Sequence, residues 1–220
     1  MISGVPLLVH SPAGRRSGRP KDFARREAII KAAHDLFASQ PFELVTVDAV
    51  AARAGVSKMT VYSHFHDKET LYETIVLATS DQMIDAMARQ RDGGLRDQLI
   101  AVGRALLGVV LGSDICTMAH TLPATLRANR PLGDRFYAAG PGRVRAALAG
   151  IIAASAGRGE LIVDDADQAA EDLVALWVGN RSAKIAFGLV DRSTPEEIAR
   201  AAVRGTDVFL RAYRAGPESA

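Results

Sequence analysis

The sequence predicts an all-α protein, and three observations carry that prediction. Apolar residues recur at three- and four-residue spacing along most of the chain, β-branched alternations are few, and Ala, Leu, Glu and Arg are abundant in the periodic segments. At 220 residues and 48% apolar content the chain has material for one or two packed cores. With only 5% aromatics, those cores must close through small side chains. The organisation expected is a basic arm over residues 1–20, a first helical domain over 21–80 and a second over 81–215.

Residues 1–20 are rich in Gly, Pro, Ser and Arg without an apolar period, the composition of a flexible arm. Gly18-Arg19-Pro20, with Arg15 and Arg16 behind it, suits insertion of Arg19 into a narrow A·T-rich minor groove; a leader that touches phosphates loosely fits the same residues. Over 22–39, Phe23, Ile29, Ile30, Ala33, Leu36 and Phe37 trace one face of a first helix. Over 46–71, TVDAVAARAGVSKMTVYSHFHDKETL, two short helical patterns meet at a glycine. Thr46 caps the first by accepting from an early backbone N–H, and Val47, Val50, Ala51 and Ala54 follow at helical spacing. Gly55 supplies the left-handed residue that ends it, and Ser57 caps the second. Val61 and Phe65 face inward and leave Lys58, Met59, Thr60, Tyr62, Ser63 and His64 pointing out: a cation, hydroxyls, a phenol, an imidazole and a flexible apolar group. This is the pattern of a helix-turn-helix whose second helix enters a major groove of DNA.

Asp67 caps a fourth helix with Glu69 in its first turn and Leu71, Ile75, Met83 and Met87 along it, a helix that joins the two domains until Asp92-Gly93-Gly94 breaks it. Beyond it the helical segments carry no further DNA-reading signature. One spans 95–112, where Gly103, Gly108 and Gly112 allow close packing or a bend. A second spans 113–129, divided near Pro123. A third opens at Pro131 and Asp134 and runs to near Gly157; a turn over 159–164 leads to a fourth over 165–189. Thr194-Pro195-Glu196-Glu197 is a capping box that opens the last.

Residues 25–75 resemble the TetR/AcrR family of bacterial transcriptional regulators. The matching positions are Leu36-Phe37 at a helix end, Thr46 at a helix start, the Ala-Gly-Val-Ser turn over 54–57, Thr60-x-Tyr62-x-x-Phe65 and Lys68-Glu69-x-Leu71. Met59 departs from the pattern, standing where a small residue such as glycine is common, so the operator sequence is not inherited from relatives. The resemblance implies DNA contact by Thr46, Lys58, Thr60, Tyr62, His64 and Lys68, together with the capping Ser57; Lys58, Met59 and Ser63 are candidates for base edges, or solvated surface side chains. Residues 134–179, with Arg135-Phe136-Tyr137-Ala138-Ala139-Gly140-Pro141 and Gly159-Glu160-Leu161-x-Val163-Asp164-Asp165, are similar to the C-terminal domain of an AefR-like branch of that family. That similarity implies a helical effector-binding and dimerisation domain and leaves the effector unidentified.

In the second domain, Arg104, Met118, His120, Phe136, Tyr137, Trp177, Asn180 and Arg181 place polar and aromatic groups in apolar segments, the inventory of a ligand pocket. Trp177 near Leu173 and Phe136 near Leu132 fit a core equally well. His64 and His66 lack a third metal ligand, so DNA or solvent contact explains them better than a metal. Asp164, Asp165 and Asp167 precede a helix and read as caps before they read as a cation site. The single cysteine, Cys116, excludes an internal disulfide and reads as a small buried hydrophobe, and no cofactor motif is found.

No activated nucleophile, phosphate loop or metal triad supports an enzyme. The opening MISGVPLLVH lacks the basic region of an export signal, and no apolar run of about 18 residues follows, which points to a cytoplasmic protein. The net charge of +2 is too small to diagnose DNA binding, but Arg15, Arg16, Arg19, Lys21, Arg25, Arg26 and Lys31 cluster before the reader. The function expected is a homodimeric repressor on a palindromic double-stranded DNA operator, released by a small, mostly apolar effector, with Leu173, Leu176, Val203 and Leu210 as the dimer seam. A small-molecule-binding helical protein with vestigial DNA contact, and less favourably an enzyme, are the alternatives.

Overall fold

A computed structural model describes residues 19–89, 93–112, 126 and 129–214. In chain order it contains α1 (Arg19–Ser39), a 3-10 turn (Phe42–Leu44), α2 (Val47–Ala54), α3 (Lys58–His64), α4 (Lys68–Arg89) and α5 (Leu95–Leu107), which runs on as a π turn over Gly108–Gly112. There follow α6 (Arg130–Ala139), α7 (Pro141–Gly157), α8 (Ala166–Val178), α9 (Arg181–Ala186) and α10 (Pro195–Tyr213). Extended pairing among the described residues is confined to an isolated antiparallel bridge between Leu161 and Arg214. The chain forms two compact units, one holding the described residues up to Gln82 together with 126 and 129–140, the other holding those from Met83 to 112 and from Pro141 onward. The division falls inside α4, and α6 groups with the first unit although it follows α5 in sequence.

The first unit closes around aromatic rings. Phe37 stacks on Phe42 at 5.5 Å between centroids, and Tyr72 meets Phe37 edge-on at 5.0 Å and Phe136 of α6 at 4.7 Å. Such pairs contribute about 0.5–1.5 kcal/mol each beyond the area they bury, and burial pushes the Tyr72 hydroxyl well above its ordinary pKa. Ile29, Ile30, Ala33, Val50, Ala51, Val61, Phe65, Leu71 and Ile75 complete the core. Phe23, expected on the buried face of α1, is exposed near its start. Helix α1 reaches back to Arg19, so residues 19 and 20 open a helix instead of ending an arm; residues 1–18 lie outside the described part.

The second unit is organised around Trp177. Its indole lies so close to two glycines that an added Cβ would sit 2.7 Å from Cε2 at Gly103 and 2.5 Å from Cδ1 at Gly205. The buried ring nitrogen donates to Thr206 Oγ1 at 3.0 Å, which satisfies the group that burial would otherwise leave without water. Leu99, Leu107, Leu148, Ile152, Leu173 and Phe209 pack in the same core. Helix α10 opens on the expected capping box: Glu197 N–H donates to Thr194 Oγ1 at 3.3 Å, and Thr194 N–H to Glu197 Oε2 at 3.0 Å.

Several expected segments are corrected. The helix expected from Pro131 to near Gly157 is two, because Pro141 has no N–H to continue the ladder and disfavours helical geometry at Gly140, whose φ/ψ are −118°/−97°. A side chain at Gly140 would also meet Val76 Cγ1 at 2.7 Å. Asn129 caps α6, accepting from Leu132 N–H at 3.3 Å, with Pro131 in the first turn as expected. The helix expected over 165–189 is likewise two, ended at Gly179 by a left-handed φ of 52°. Leu173 and Leu210, expected in a dimer seam, are buried in their own unit's core, while Val203 remains partly exposed. The helix expected over 113–129 lies almost wholly outside the described residues. No helix among the described residues is long and apolar enough to cross a membrane.

Two glycine substitutions separate close packing from helix propensity. Gly205→Ala, which drives a methyl into the indole and the Leu176 backbone, is expected to destabilise by about 1–3 kcal/mol. Gly150→Ala, in α7 with nothing within 4 Å of the added carbon, should stabilise by about 0.5–1 kcal/mol. Denaturant midpoints of the two variants moving in the same direction would contradict this account.

Candidate nucleic-acid interface

The candidate interface is set by the turn between α2 and α3. Thr46 Oγ1 accepts from Ala49 N–H at 3.2 Å and starts α2. At the other end Gly55 takes a left-handed conformation (φ 68°), so its own N–H reaches the Ala52 carbonyl at 3.3 Å and the N–H of Val56 reaches Ala51 at 3.0 Å. This double closure is a Schellman motif, and a residue with a Cβ adopts its left-handed position only at a cost. Ser57 follows at once and caps α3, its Oγ accepting from Thr60 N–H at 3.1 Å and lying 2.8 Å from Thr60 Oγ1.

With Val61 and Phe65 buried, the opposite side of α3 faces solvent: Met59 is 74% exposed and Tyr62 43%. Ser63 is exposed beside them and donates to the Thr60 carbonyl at 2.8 Å. The cations around this face are held by partners. Lys58 Nζ donates to Asp48 Oδ2 at 2.8 Å, and that bond, with the carboxylate's charge, raises the Lys58 pKa above its ordinary value. Arg53 pairs with Asp35 at 3.1 Å, and the Arg26 guanidinium sits 5.2 Å from the Phe65 ring centre. At the start of α4, Asp67 Oδ1 accepts from Thr70 N–H at 2.6 Å, and hydrogen bonding from Thr70 holds the Asp67 carboxyl below its ordinary pKa.

Thr46, Ser57, Lys58, Met59, Thr60, Tyr62 and Ser63 therefore come together on α2, α3 and the turn between them. His64 and Lys68 sit differently. The His64 side chain is 12% exposed, with Nε2 3.2 Å from Asp22 Oδ1, and so bridges α3 to α1. Lys68 Nζ donates to the Phe42 carbonyl at 2.9 Å and lies 4.3 Å from that ring's centre, tying α4 to the 3-10 turn. Arg19 opens α1. Asp48 escaped sequence reasoning, because its partner Lys58 is ten residues away in the chain and on another helix.

The residues expected to line a ligand pocket are dispersed. Phe136 is a core residue of the first unit, packed on Phe42 and Tyr72, and Trp177 is a core residue of the second; in each case the ring fills space that no other side chain occupies. Arg104, Tyr137 and Asn180 are exposed. Arg181 is bonded to Ser193 Oγ at 2.9 Å and Glu197 Oε2 at 2.7 Å, which anchors α9 to the start of α10. Met118 and His120, like Cys116, lie outside the described residues. The second unit instead has a groove of about 660 Å³, lined by Ile84, Met87, Leu95 and Ile151 together with Gln98 and the Arg158–Glu160 pair. Asp165 caps α8, accepting from the N–H groups of Asp167 and Gln168 at 2.9 and 3.1 Å.

Comparison with known proteins places both halves. Residues 29–75 match the model of bacterial regulatory proteins of the tetR family, and residues 97–215 match that of the C-terminal domain of AefR-like transcriptional repressors. The chain is 40% identical over 65 residues to an uncharacterised HTH-type transcriptional regulator, YdeS, of Bacillus subtilis, covering 30% of this chain and 33% of that protein. It is 30% identical over 116 residues to the HTH-type transcriptional regulator EthR of Mycobacterium tuberculosis, covering 51% and 54%. The chain thus spans between a third and about half the length of these curated relatives. A crystal structure assigned to the TetR family, from Mesorhizobium loti, is similar with a TM-score of 0.76 at 26% identity, over 89% of this chain and 100% of the other.

The cap at Asp67 yields a prediction with a pH signature. Asp67→Ala should lower stability by about 1 kcal/mol at neutral pH. Because the folded carboxyl titrates below its unfolded counterpart, the stabilisation is present above the ordinary carboxylate range and lost as pH falls through the folded value. Parent and variant unfolding midpoints should therefore differ at pH 7 and converge in acid; a constant offset would exclude a charged cap.

Proposed function

This chain belongs to the TetR family of bacterial transcriptional regulators, and we propose that it acts as a homodimeric repressor, leaving a palindromic operator when a small, mostly apolar effector binds. The members of this family are regulators of transcription and not enzymes. One observation carries the DNA-binding part: α3 buries Val61, with Phe65 buried just past its end, and turns Met59, Tyr62 and Ser63 outward, a helix surface of major-groove width with hydroxyl, phenol and apolar groups for phosphates and base edges.

A single reader spans only a few base pairs, whereas two related by a twofold axis meet successive major-groove faces, which supports the dimer. The exposed Val203 and Val208 on α10 support it further, in place of the expected Leu173 and Leu210. The groove in the second unit, where Ile84, Met87, Leu95 and Ile151 stand beside Gln98, Arg158 and Glu160, supports a small effector with an apolar body and a polar group. A cytoplasmic location follows from operator binding.

Selection from a random duplex pool tests this reading. The full chain should enrich a palindrome and migrate as a dimer; retardation of every duplex alike, or a monomer at operator-binding concentrations, would overturn it. Tyr62→Phe is expected to weaken all sequences uniformly, because a phosphate contact carries no sequence information. Met59→Gly should relax at least one half-site position by roughly 1–3 kcal/mol. An effector found by screening should lower operator affinity 5- to 150-fold, a coupling of about 1–3 kcal/mol, and operator must weaken effector binding by the same factor.

A further inference from the structure

Asp48 is an acid on a surface read as facing DNA. It stands in the first turn of α2, two residues after the capping Thr46, and its side chain is 66% exposed. Lys58 stands in the first turn of α3, one residue after the capping Ser57, with its side chain 48% exposed and Nζ 2.8 Å from Asp48 Oδ2. An ion pair this open to water contributes little to stability, and the place of Asp48 in the first turn of α2 accounts for a carboxylate there but not for a lysine held against it from another helix. Nor does phosphate binding, since a carboxylate is repelled by the backbone of a duplex. The groups of a duplex that do receive a carboxylate are the base amines of the major groove.

We propose that Asp48 and Lys58 act as one base-reading unit that selects a G·C pair, Lys58 donating to guanine and Asp48 accepting from the cytosine amine. The inference rests on the operator-binding reading given above. The protein presents a donor beside an acceptor, and the major-groove edge of G·C presents the complement: guanine N7 and O6 as neighbouring acceptors, then cytosine N4–H₂ as donor. The lysine ammonium has three hydrogens, enough to bond N7 and O6 while staying near its carboxylate. An A·T pair interrupts that order, with the adenine amine between two acceptors and a thymine methyl beyond them. Asp48 also holds the flexible stem of Lys58 before DNA arrives, which reduces the rotamer entropy lost on binding.

The test is selection from a random duplex pool with the full-length wild type, Asp48→Ala, Lys58→Ala, the double variant and Asp48→Asn, each first checked for parent-like circular dichroism. The wild type should prefer G·C at one position of each half-site by roughly 5- to 150-fold. Asp48→Ala and Lys58→Ala should both relax that same position, the double variant no further, and Asp48→Ala should leave the salt slope unchanged because it touches no phosphate. Asp48→Asn should turn the position toward A·T, since an amide pairs with adenine N6 and N7. Single variants that relax different positions overturn the proposal. So does an Asp48→Ala variant that binds every duplex more tightly with a steeper salt slope and the parent motif, which would make Asp48 a mere neutraliser of Lys58. A wild type that enriches no sequence at all overturns the operator reading itself, and the inference with it. That result is separable from the others, because in those the palindrome is still recovered.

Discussion

The left-handed turn at Gly55 is the constraint on which the reading surface depends. Its positive φ brings two successive N–H groups back onto α2 and places Ser57 where its hydroxyl caps α3. Once α3 leaves the turn in that direction, Val61 and Phe65 are the side chains that meet the core, and Met59, Tyr62 and Ser63 are left in solvent by subtraction. The chemistry exposed on that face is thus a consequence of backbone geometry at Gly55, before α3 begins. The aromatic cluster of Phe37, Phe42, Tyr72 and Phe136 then makes the platform rigid, since interlocked rings resist the small shifts that would misplace a helix in a groove.

The second unit solves a similar problem with glycine in another role. A chain poor in aromatics places its tryptophan where two helices must approach it closely, and Gly103 and Gly205 permit that approach by lacking a side chain. Thr206, next to Gly205 and fully buried, supplies the acceptor that the indole nitrogen needs. Removing either the small residues or the hydroxyl would leave a clash or an unpaired donor, so the three positions act as one packing unit.

Around α2 and α3 the cations Lys58 and Arg53 are already engaged in the free protein, with Asp48 and Asp35, and the mostly buried His64 lies against Asp22. Exposed pairs such as Lys58–Asp48 and Arg53–Asp35 are individually worth about 0–1 kcal/mol, so neither cation is locked in place by its carboxylate. Lys68 is different, because its bond to the Phe42 carbonyl is partly buried and its ammonium also lies against that ring. Its position ties it to the fold of the platform more than to the reading face.

What the sequence by itself determined is local. The all-α class, the turn over 54–57 and the caps at Thr46, Ser57, Asp67, Asp165 and Thr194–Glu197 follow from hydrogen bonds that close within a few residues, so their signals lie side by side in the chain. The inward direction of Val61 and Phe65 was legible for the same reason. Tertiary structure decided what each apolar face meets. Helical spacing at Trp177, Phe136, Leu173 and Leu210 announces burial but is the same for a core, a ligand cavity and a dimer seam, and only packing assigned them to cores. It also decided where long helical patterns break, at Gly140–Pro141 and Gly179, and which distant charges meet, as Asp48 and Lys58 do across two helices. Periodicity specifies a direction relative to one helix axis; the partner in that direction is set by every other element at once.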